Sequence, residues 1–167
     1  MNEPLLERAE VIVGGGGLAG LAFGVALRQA LGPHARIVVA DPAFAFPLRD
    51  DGRASAFAAA GRRLFETLGV WDEIAPDAQP ILDMVVTDSR ASDVVRPVYL
   101  SFAGEVSPGE PFAHMIPNVS VLRALEARAR VLGVELRATG VARFVAESAR
   151  TRVTFADGAE LAASLLV

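Results

Sequence analysis

The sequence predicts an α/β fold in which a parallel sheet, built on a strand–helix–strand unit, is interrupted by an antiparallel segment. A β-branched run ends in four consecutive glycines and is followed by an alanine-rich helical pattern. A second buried run, RIVVA, completes a unit of about 30 residues, and a crossover of that length implies parallel strands. Short β-type runs separated by polar and turn-rich breaks then fill residues 81–116, which indicates antiparallel pairing.

Composition restricts the chemistry that the chain can perform. Its 167 residues, 52% of them hydrophobic, suffice for one domain with a core. The absence of cysteine excludes disulfides, zinc-thiolate sites and thiol nucleophiles, and the absence of lysine excludes Schiff-base chemistry. The formal charge of -4 argues against a general nucleic-acid surface. The apolar runs are too short to span a bilayer and MNEPLLERAE is unlike a secretory signal, so we expect a cytoplasmic protein.

Glycine and proline residues mark the boundaries of the first strand–helix–strand unit. Glu10–Gly14 reads as a buried strand and Leu18–Leu31 as a helix, with the glycines forming the turn between them. Arg36–Asp41 reads as a second buried strand, which Pro42 ends because proline cannot continue a hydrogen-bonded ladder.

The middle of the chain leaves this α/β pattern. After a loop with a turn at Asp51-Gly52, Ser55 is predicted to cap a helix that runs to about Leu68. Its apolar residues are expected on one face: Phe57, Leu64, Phe65 and Leu68. The runs ILDMVVTD, VVRPVYLSF and PFAHMI, with the turn-rich SPGEP, predict the antiparallel segment.

The last third returns to the α/β pattern. A helix is predicted over Val119–Leu132, and Gly133 ends it. The run VELRA supplies a third strand of the parallel sheet, GVARFVAES and RTRVTFADG form a meander with a tight turn at Asp157-Gly158, and LAASLLV begins another buried strand.

The glycine turn matches the G-x-G-x-x-G pattern over residues 15–20, in the strand–turn–helix context that this pattern requires. Gly15 permits a tight turn, Gly17 lets the backbone approach a pyrophosphate, and Gly20 allows close packing of the helix. Since a helix N-terminus favours negative charge, the turn predicts a Rossmann-like dinucleotide site.

Two charged residues extend this site. Asp41 follows Gly20 by 21 residues at the end of a strand, where a carboxylate can accept hydrogen bonds from both ribose hydroxyls. Arg53 could fold back towards the same ligand, or it could be an exposed arginine on a polar loop. The motif itself does not distinguish NAD from FAD.

Three stretches carry a resemblance to a known family: VIVGGGGLAGLAFGVALRQ, the segment from DPA through DGRASAFAAAGRRLFETLGVWDEIAPDAQPILDMVVTD, and HMIPNVSVLRALEARA. The chain resembles the N-terminal part of the FAD-dependent aromatic hydroxylases, specifically the ubiquinone-biosynthesis hydroxylases. This resemblance implies an FAD-binding part at residues 1–80, an antiparallel insertion that starts a truncated substrate domain at 81–117, and a return to the FAD-binding domain at 118–167.

The resemblance also implies roles for individual residues. Gly15, Gly17 and Gly20, with Leu18 and Ala19 between them, match the dinucleotide turn. Asp41 matches the acid on the adenosine ribose, Arg53 the arginine over the pyrophosphate and ribityl chain, Asn118 a polar residue near the ribityl chain, and Val141 a contact to adenine. None of these residues breaks bonds, and the catalytic residues stay unassigned.

The reaction implied by the resemblance is hydroxylation of a phenolic ring, a ubiquinone precursor, with NAD(P)H and O₂. His114 could hold the phenol near its ionised form, or it could be a hydrogen-bonded histidine at a strand end. His34 is expected at the surface. The two histidines lack the spacing and the third ligand of a metal site.

Members of this family are considerably longer, so we expect an N-terminal fragment that is inactive alone and exposes apolar surface prone to self-association. A lipophilic substrate also leaves open contact with a membrane surface or a biosynthetic complex. Two other functions stay open at this point: the NAD-binding module of a dehydrogenase and a non-catalytic adenine-nucleotide-binding domain. The antiparallel segment argues against a simple NAD module, in which helices and strands alternate.

Overall fold

A computed structural model describes residues 6–87, 90, 92, 94, 95 and 97–167. The first five residues of the N-terminal stretch MNEPLLERAE lie outside the described residues, as do Asp88 and Arg96 from two of the predicted β runs.

The described residues form thirteen strands and four α-helices. The strands are β1 (Arg8–Gly14), β2 (Ile37–Ala40), β3 (Ala54–Ala58), β4 (Gln79–Ile81), β5 (Asp83–Thr87), β6 (Val98–Ala103), β7 (Glu105–Ser107), β8 (Glu110–Pro111), β9 (Ala113–Pro117), β10 (Glu135–Arg137), β11 (Val141–Ala146), β12 (Thr151–Phe155) and β13 (Glu160–Leu166). The helices are α1 (Leu18–Leu31), α2 (Ala59–Leu68), α3 (Trp71–Ile74) and α4 (Asn118–Leu132).

The main sheet has six strands in the order β10-β2-β1-β13-β12-β11. The first four run parallel to one another, and β12 and β11 extend the sheet as an antiparallel meander. The meander turns at Asp157-Gly158, where Gly158 has a φ of 86° and its N–H donates to the carbonyl of Phe155.

The helices cover one face of the parallel strands. Alternate side chains of β1 and β2, including Val13 and Val39, pack with Leu21 and Val25 of α1 and with Leu125 of α4. On the opposite face, Ile12 and Val38 pack with Val153 and Phe155 of the meander. The central strands β1 and β2 are therefore buried on both sides, as the continuous apolar runs EVIV and RIVVA predict.

A second, three-stranded antiparallel sheet has the order β3-β9-β4. The hairpin β5–β6 and the short pair β7–β8 are also antiparallel. One face of the β5–β6 hairpin carries two apolar cross-strand pairs, Met84 with Phe102 and Val86 with Leu100. All four side chains are exposed, between 39% and 45%.

The structure confirms the predicted fold class: a mixed α/β chain with a mostly parallel sheet and antiparallel additions. Helix α1 has the predicted bounds, and the third parallel strand, the meander and the buried last strand are present. The division of the chain at residues 80 and 117 stays a prediction.

Two expectations for the middle of the chain are wrong. Ser55 does not cap a helix and Phe57 does not lie on one, because residues 54–58 form β3 and pair with β9, so α2 begins only at Ala59. Leu64 does not join the buried face of α2: it is 46% exposed, whereas Phe65 and Leu68 are buried.

No helix in the described part of the chain combines the length and the apolar character needed to cross a membrane.

Candidate functional site

The glycine turn follows β1, the strand at which the order of strands in the parallel sheet reverses. From β1 the chain adds β2 and then β10 on one side, whereas β13 pairs with the other side of β1. In open α/β sheets, ligands bind at the carboxyl ends of the strands at such a switch point. The residues that follow Gly14 therefore occupy the position that the topology favours for a ligand.

Backbone geometry explains two of the glycines. Gly15 has a φ of 130°, which side-chain-bearing residues rarely adopt. A Cβ atom on Gly20 would lie 1.9 Å from the carbonyl oxygen of Gly15, so the close approach predicted at Gly20 is present and its partner is the turn itself. Gly17 differs, because a Cβ there would meet no atom within 4 Å.

A cavity of about 670 Å³ opens beside this turn. It is lined by Val13, Gly14, Gly15, Gly17, Leu18, Ala19, Gly20, Phe23 and Val167. The first intrahelical hydrogen bond runs from the N–H of Leu21 to the carbonyl of Gly17. The N–H groups of residues 17–20 have no acceptor among the described residues, and the first turn of α1 carries no acidic side chain. The cavity thus offers unpaired donors at a helix N-terminus.

Asp41 makes contacts that its position in the sequence did not predict. One carboxylate oxygen accepts the N–H of Gly16 at 2.7 Å, and the other accepts the N–H of Ala43 at 2.8 Å. Each oxygen keeps a further lone pair, so the carboxylate can fix the glycine turn and still accept a hydroxyl group.

Gly16 and Phe44 are a pair that sequence reasoning missed. A Cβ atom on Gly16 would lie 2.3 Å from Cζ of Phe44 and 2.8 Å from Cβ of Asp41. The G-x-G-x-x-G pattern treats Gly16 as a free position, but here a side chain would overlap the phenyl ring of Phe44 and crowd Cβ of Asp41. The run of four glycines was the available signal, since the pattern alone does not require Gly16.

Arg53 does not reach the described lining of this cavity. It immediately precedes β3, its side chain is 75% exposed, and it forms an ion pair with Asp51 at 2.6 Å. Asn118 is linked to this region, because its N–H donates to the carbonyl of Arg53 at 2.9 Å and its side-chain oxygen accepts the hydroxyl of Ser55 at 2.7 Å.

Val141 lies on the other side of Gly14. Its Cγ2 atom is 3.5 Å from where a Cβ of Gly14 would lie. Val141 also lines a second cavity of about 450 Å³, together with Gly14, Phe144, Thr151, Leu166 and Val167. Gly14 and Val167 line both cavities, so the end of β1 separates them.

His114 lies in the core, within the central strand of the small antiparallel sheet. It is 6% exposed, its ring centroid is 5.3 Å from that of Trp71 in an edge-to-face arrangement, and its Nδ1 atom has no hydrogen-bond partner among the described residues. Burial lowers the pKa of this imidazole, and the charge of Arg62 lowers it further. Within the described part of the chain, Nδ1 thus lacks the hydrogen bond expected of a structural histidine, whereas His34 is exposed as predicted.

The fold and the turn define an α/β domain of the Rossmann-like class. No protein-family model matches the chain. It is similar to a ubiquinone hydroxylase, UbiL of Rhodospirillum rubrum, with 34% identity over 120 residues, which is 72% of this chain and 27% of that protein. This similarity confirms the resemblance to ubiquinone-biosynthesis hydroxylases.

Two solved structures are also similar. The Diels-Alderase PyrE3 of pyrroindomycin biosynthesis superposes with a TM-score of 0.73 at 26% identity, over 94% of this chain and 31% of that one. The tetrameric form of 2-methyl-3-hydroxypyridine-5-carboxylic acid oxygenase superposes with a TM-score of 0.66 at 26% identity, over 97% and 38%. The chain thus spans 27% of its curated relative and between 31% and 38% of these two structures.

Proposed function

We propose that this chain is the FAD-binding part of a flavin-dependent monooxygenase that hydroxylates a phenolic ring, a ubiquinone precursor, with NAD(P)H and O₂. The observation that carries the proposal is the set of unpaired N–H groups at residues 17–20, which faces a cavity at the switch point of the sheet. The names of a hydroxylase and an oxygenase among the relatives support oxygen insertion. PyrE3 is named a Diels-Alderase, so the fold alone does not determine the reaction.

The donor set fits a dinucleotide. The N–H groups of Gly17, Leu18 and Ala19 would bind the pyrophosphate, because four unpaired donors and the helix dipole favour phosphate oxygens. Asp41 would accept the hydroxyls of the adenosine ribose with its remaining lone pairs. Val141 would contact the adenine. Arg53 would contact the pyrophosphate and ribityl region, and Asn118 would lie near the ribityl chain.

When bound, the flavin supplies the transfer of electrons from the nicotinamide and of oxygen to the ring. The chain's own residues bind and orient it. The preformed turn, fixed by Asp41 and closed against Phe44, holds the donors in place before the ligand arrives, which reduces the ordering that binding requires. The apolar side chains of Val13 and Phe23 beside the donors limit the access of water.

The partners follow from the same proposal. We expect a small, lipophilic aromatic substrate and a cytoplasmic protein that can contact a membrane surface or a biosynthetic complex. The exposed apolar face of the β5–β6 hairpin supports self-association or docking to a further domain. The unit formed by residues 81–117 would then belong to the part of the molecule that meets the substrate.

A substitution at Gly17 tests the binding site without disturbing the fold. Gly17 has a φ of -74° and open space around it, so Gly17→Ala should fold normally. Its methyl group would occupy the cavity where the pyrophosphate approaches, and we expect FAD affinity to fall by about tenfold or more. Flavin fluorescence, measured as protein is added to FAD, reports the affinity.

The matched control is Gly61→Ala in α2. A Cβ there would lie 3.4 Å from Cβ of Phe57, and Gly61 does not line the cavity. This variant should bind FAD as the unaltered chain does. Equal affinities for Gly17→Ala and Gly61→Ala would contradict the proposed site.

A further inference from the structure

The loop before β3 is held by two adjacent aspartates that act differently. Asp50 accepts the N–H of Gly52 at 2.9 Å, and Asp51 accepts the N–H of Arg53 at 3.0 Å. Gly52 has a φ of 73°, which permits the turn. Both carboxylates therefore fix the backbone through one oxygen each.

Asp51 alone uses its second oxygen on the arginine side chain. This oxygen accepts Nε of Arg53 at 2.6 Å and lies 2.6 Å from Nη2. One edge of the guanidinium is thus occupied by a carboxylate of the same loop. Asp50 makes no such contact within the described part of the chain.

We propose that Asp51 is an internal counter-ion that competes with the phosphate of the bound dinucleotide for Arg53, and so sets the affinity of the site. The inference rests on the proposed function: Arg53 does not line the cavity in the free chain, and its exposed side chain would turn to the pyrophosphate once Asp51 releases it. A guanidinium binds carboxylate and phosphate through the same N–H groups. A phosphate that approaches Arg53 must therefore displace the carboxylate or bind the remaining edge beside a negative charge.

Because this ion pair is exposed, replacing the carboxylate by a phosphate at Arg53 costs little free energy. Arg53 is 75% and Asp51 is 46% exposed at the side chain, so water can solvate the carboxylate once it is released. Exposed ion pairs are weak because solvent screens them. Asp51 can therefore bind the guanidinium in the free chain and release it when a ligand that is also bound by other donors arrives.

Asp51→Asn and Asp50→Asn form a matched pair of variants. Each removes one negative charge from the same loop, and each keeps a side-chain oxygen that accepts its backbone N–H. Only Asp51→Asn removes the carboxylate oxygen that accepts the Arg53 side chain. A difference between the two variants therefore reports the contact rather than the general charge of the loop.

The experiment is a titration of FAD with five proteins: the unaltered chain, Asp51→Asn, Asp50→Asn, Arg53→Gln and the double variant Asp51→Asn/Arg53→Gln. Flavin fluorescence gives the dissociation constants, and far-UV circular dichroism checks the folds. We expect Asp51→Asn to bind FAD about two- to fivefold more tightly than Asp50→Asn, the range set by the weakness of exposed pairs. This gain should vanish in the Arg53→Gln background and shrink at high salt.

Equal affinities for Asp51→Asn and Asp50→Asn would overturn the inference, as would weaker binding by Asp51→Asn or a gain that survives in Arg53→Gln. If the unaltered chain binds FAD and Gly17→Ala abolishes that binding, such a result overturns the inference alone. If none of the five proteins binds FAD, both the inference and the proposed function are overturned.

Discussion

Gly16 and Asp41 are joined by a hydrogen bond in which the N–H of Gly16 donates to a carboxylate oxygen of Asp41 at 2.7 Å. The residue that follows β2 thus fixes the turn that follows β1. Because Asp41 also accepts the N–H of Ala43, its carboxylate organises two loops at the carboxyl edge of the sheet. Asp41 therefore has a structural role that precedes any contact with a ligand.

This structural role predicts that removal of the carboxylate destabilises the free chain. Asp41→Ala removes the acceptor of two backbone N–H groups, and we expect the free energy of unfolding to fall by about 1–3 kcal/mol. Asp41→Asn keeps one acceptor oxygen and should lose roughly half as much. Urea unfolding followed by circular dichroism measures both. A chain as stable with Ala as with Asp would show that the turn is fixed by other contacts.

The contact between Gly16 and Phe44 predicts a non-additive pair of substitutions. In Gly16→Ala the new methyl would overlap the phenyl ring, and overpacking of this kind costs about 1–3 kcal/mol of stability. Phe44→Leu shortens the side chain and should recover part of that loss. Unfolding of the two single variants and the double variant gives the coupling energy. If the two effects simply add, the ring is not what excludes a side chain at position 16.

His114 predicts a loss of stability in mild acid. Burial, and then Arg62, lower the pKa of the imidazole below its ordinary value of 6.5. The unfolded chain therefore binds a proton at this residue more readily than the folded chain, so stability falls as the pH drops below about 6.5. The imidazole packs edge to face against Trp71, and the cationic Arg62 lies over the Trp71 ring, so neither side chain offers the imidazole a hydrogen-bond acceptor.

The test compares unfolding free energies at pH 7.5 and pH 5.5 for the unaltered chain and for His114→Gln. The unaltered chain should lose stability between the two values, and His114→Gln should lose less. Glu110 and Glu147 have pKa values lowered from the ordinary value of 4.5, so they affect stability only at pH values below this range. The same pH dependence in both proteins would exclude His114 as its cause.

The exposed face of the β5–β6 hairpin predicts self-association. Leu100→Thr with Phe102→Ser replaces two of its four apolar side chains by polar ones, and should reduce both hydrophobic-dye binding and the sedimenting mass at high concentration. Val131→Ser in α4 is the control, because Val131 is 78% exposed but stands apart from the hairpin. An unchanged sedimentation profile in the hairpin variant would assign self-association to another surface.

Sequence reasoning succeeded where the structure depends on local signals. Helix α1 has the predicted bounds because glycines mark both of its ends and apolar residues repeat between them. It failed at Ser55, where a local capping signal competed with pairing to residues 113–117, which are distant in the chain. Tertiary pairing overrode the propensity of this segment, and nothing near Ser55 in the sequence reveals its partner strand.

The same distinction applies to the site. The glycine pattern and Asp41 could be predicted, since their spacing reflects a strand–turn–helix unit. The contact of Phe44 with Gly16 and the ion pair of Arg53 with Asp51 depend on how loops fold back on themselves. A motif gives the residue types at a site, whereas the closed turn and the occupied guanidinium are visible only in three dimensions.

The central claim is that the N–H groups of residues 17–20 bind the pyrophosphate of FAD. The most direct measurement is a ¹H–¹⁵N NMR titration of the chain with FAD, in which each backbone amide is followed separately. The account predicts that the largest shifts occur at Gly17, Leu18, Ala19 and Gly20, with smaller shifts at Asp41 and Val141. Binding that leaves the amides of residues 17–20 unchanged, or no binding at all, would contradict it.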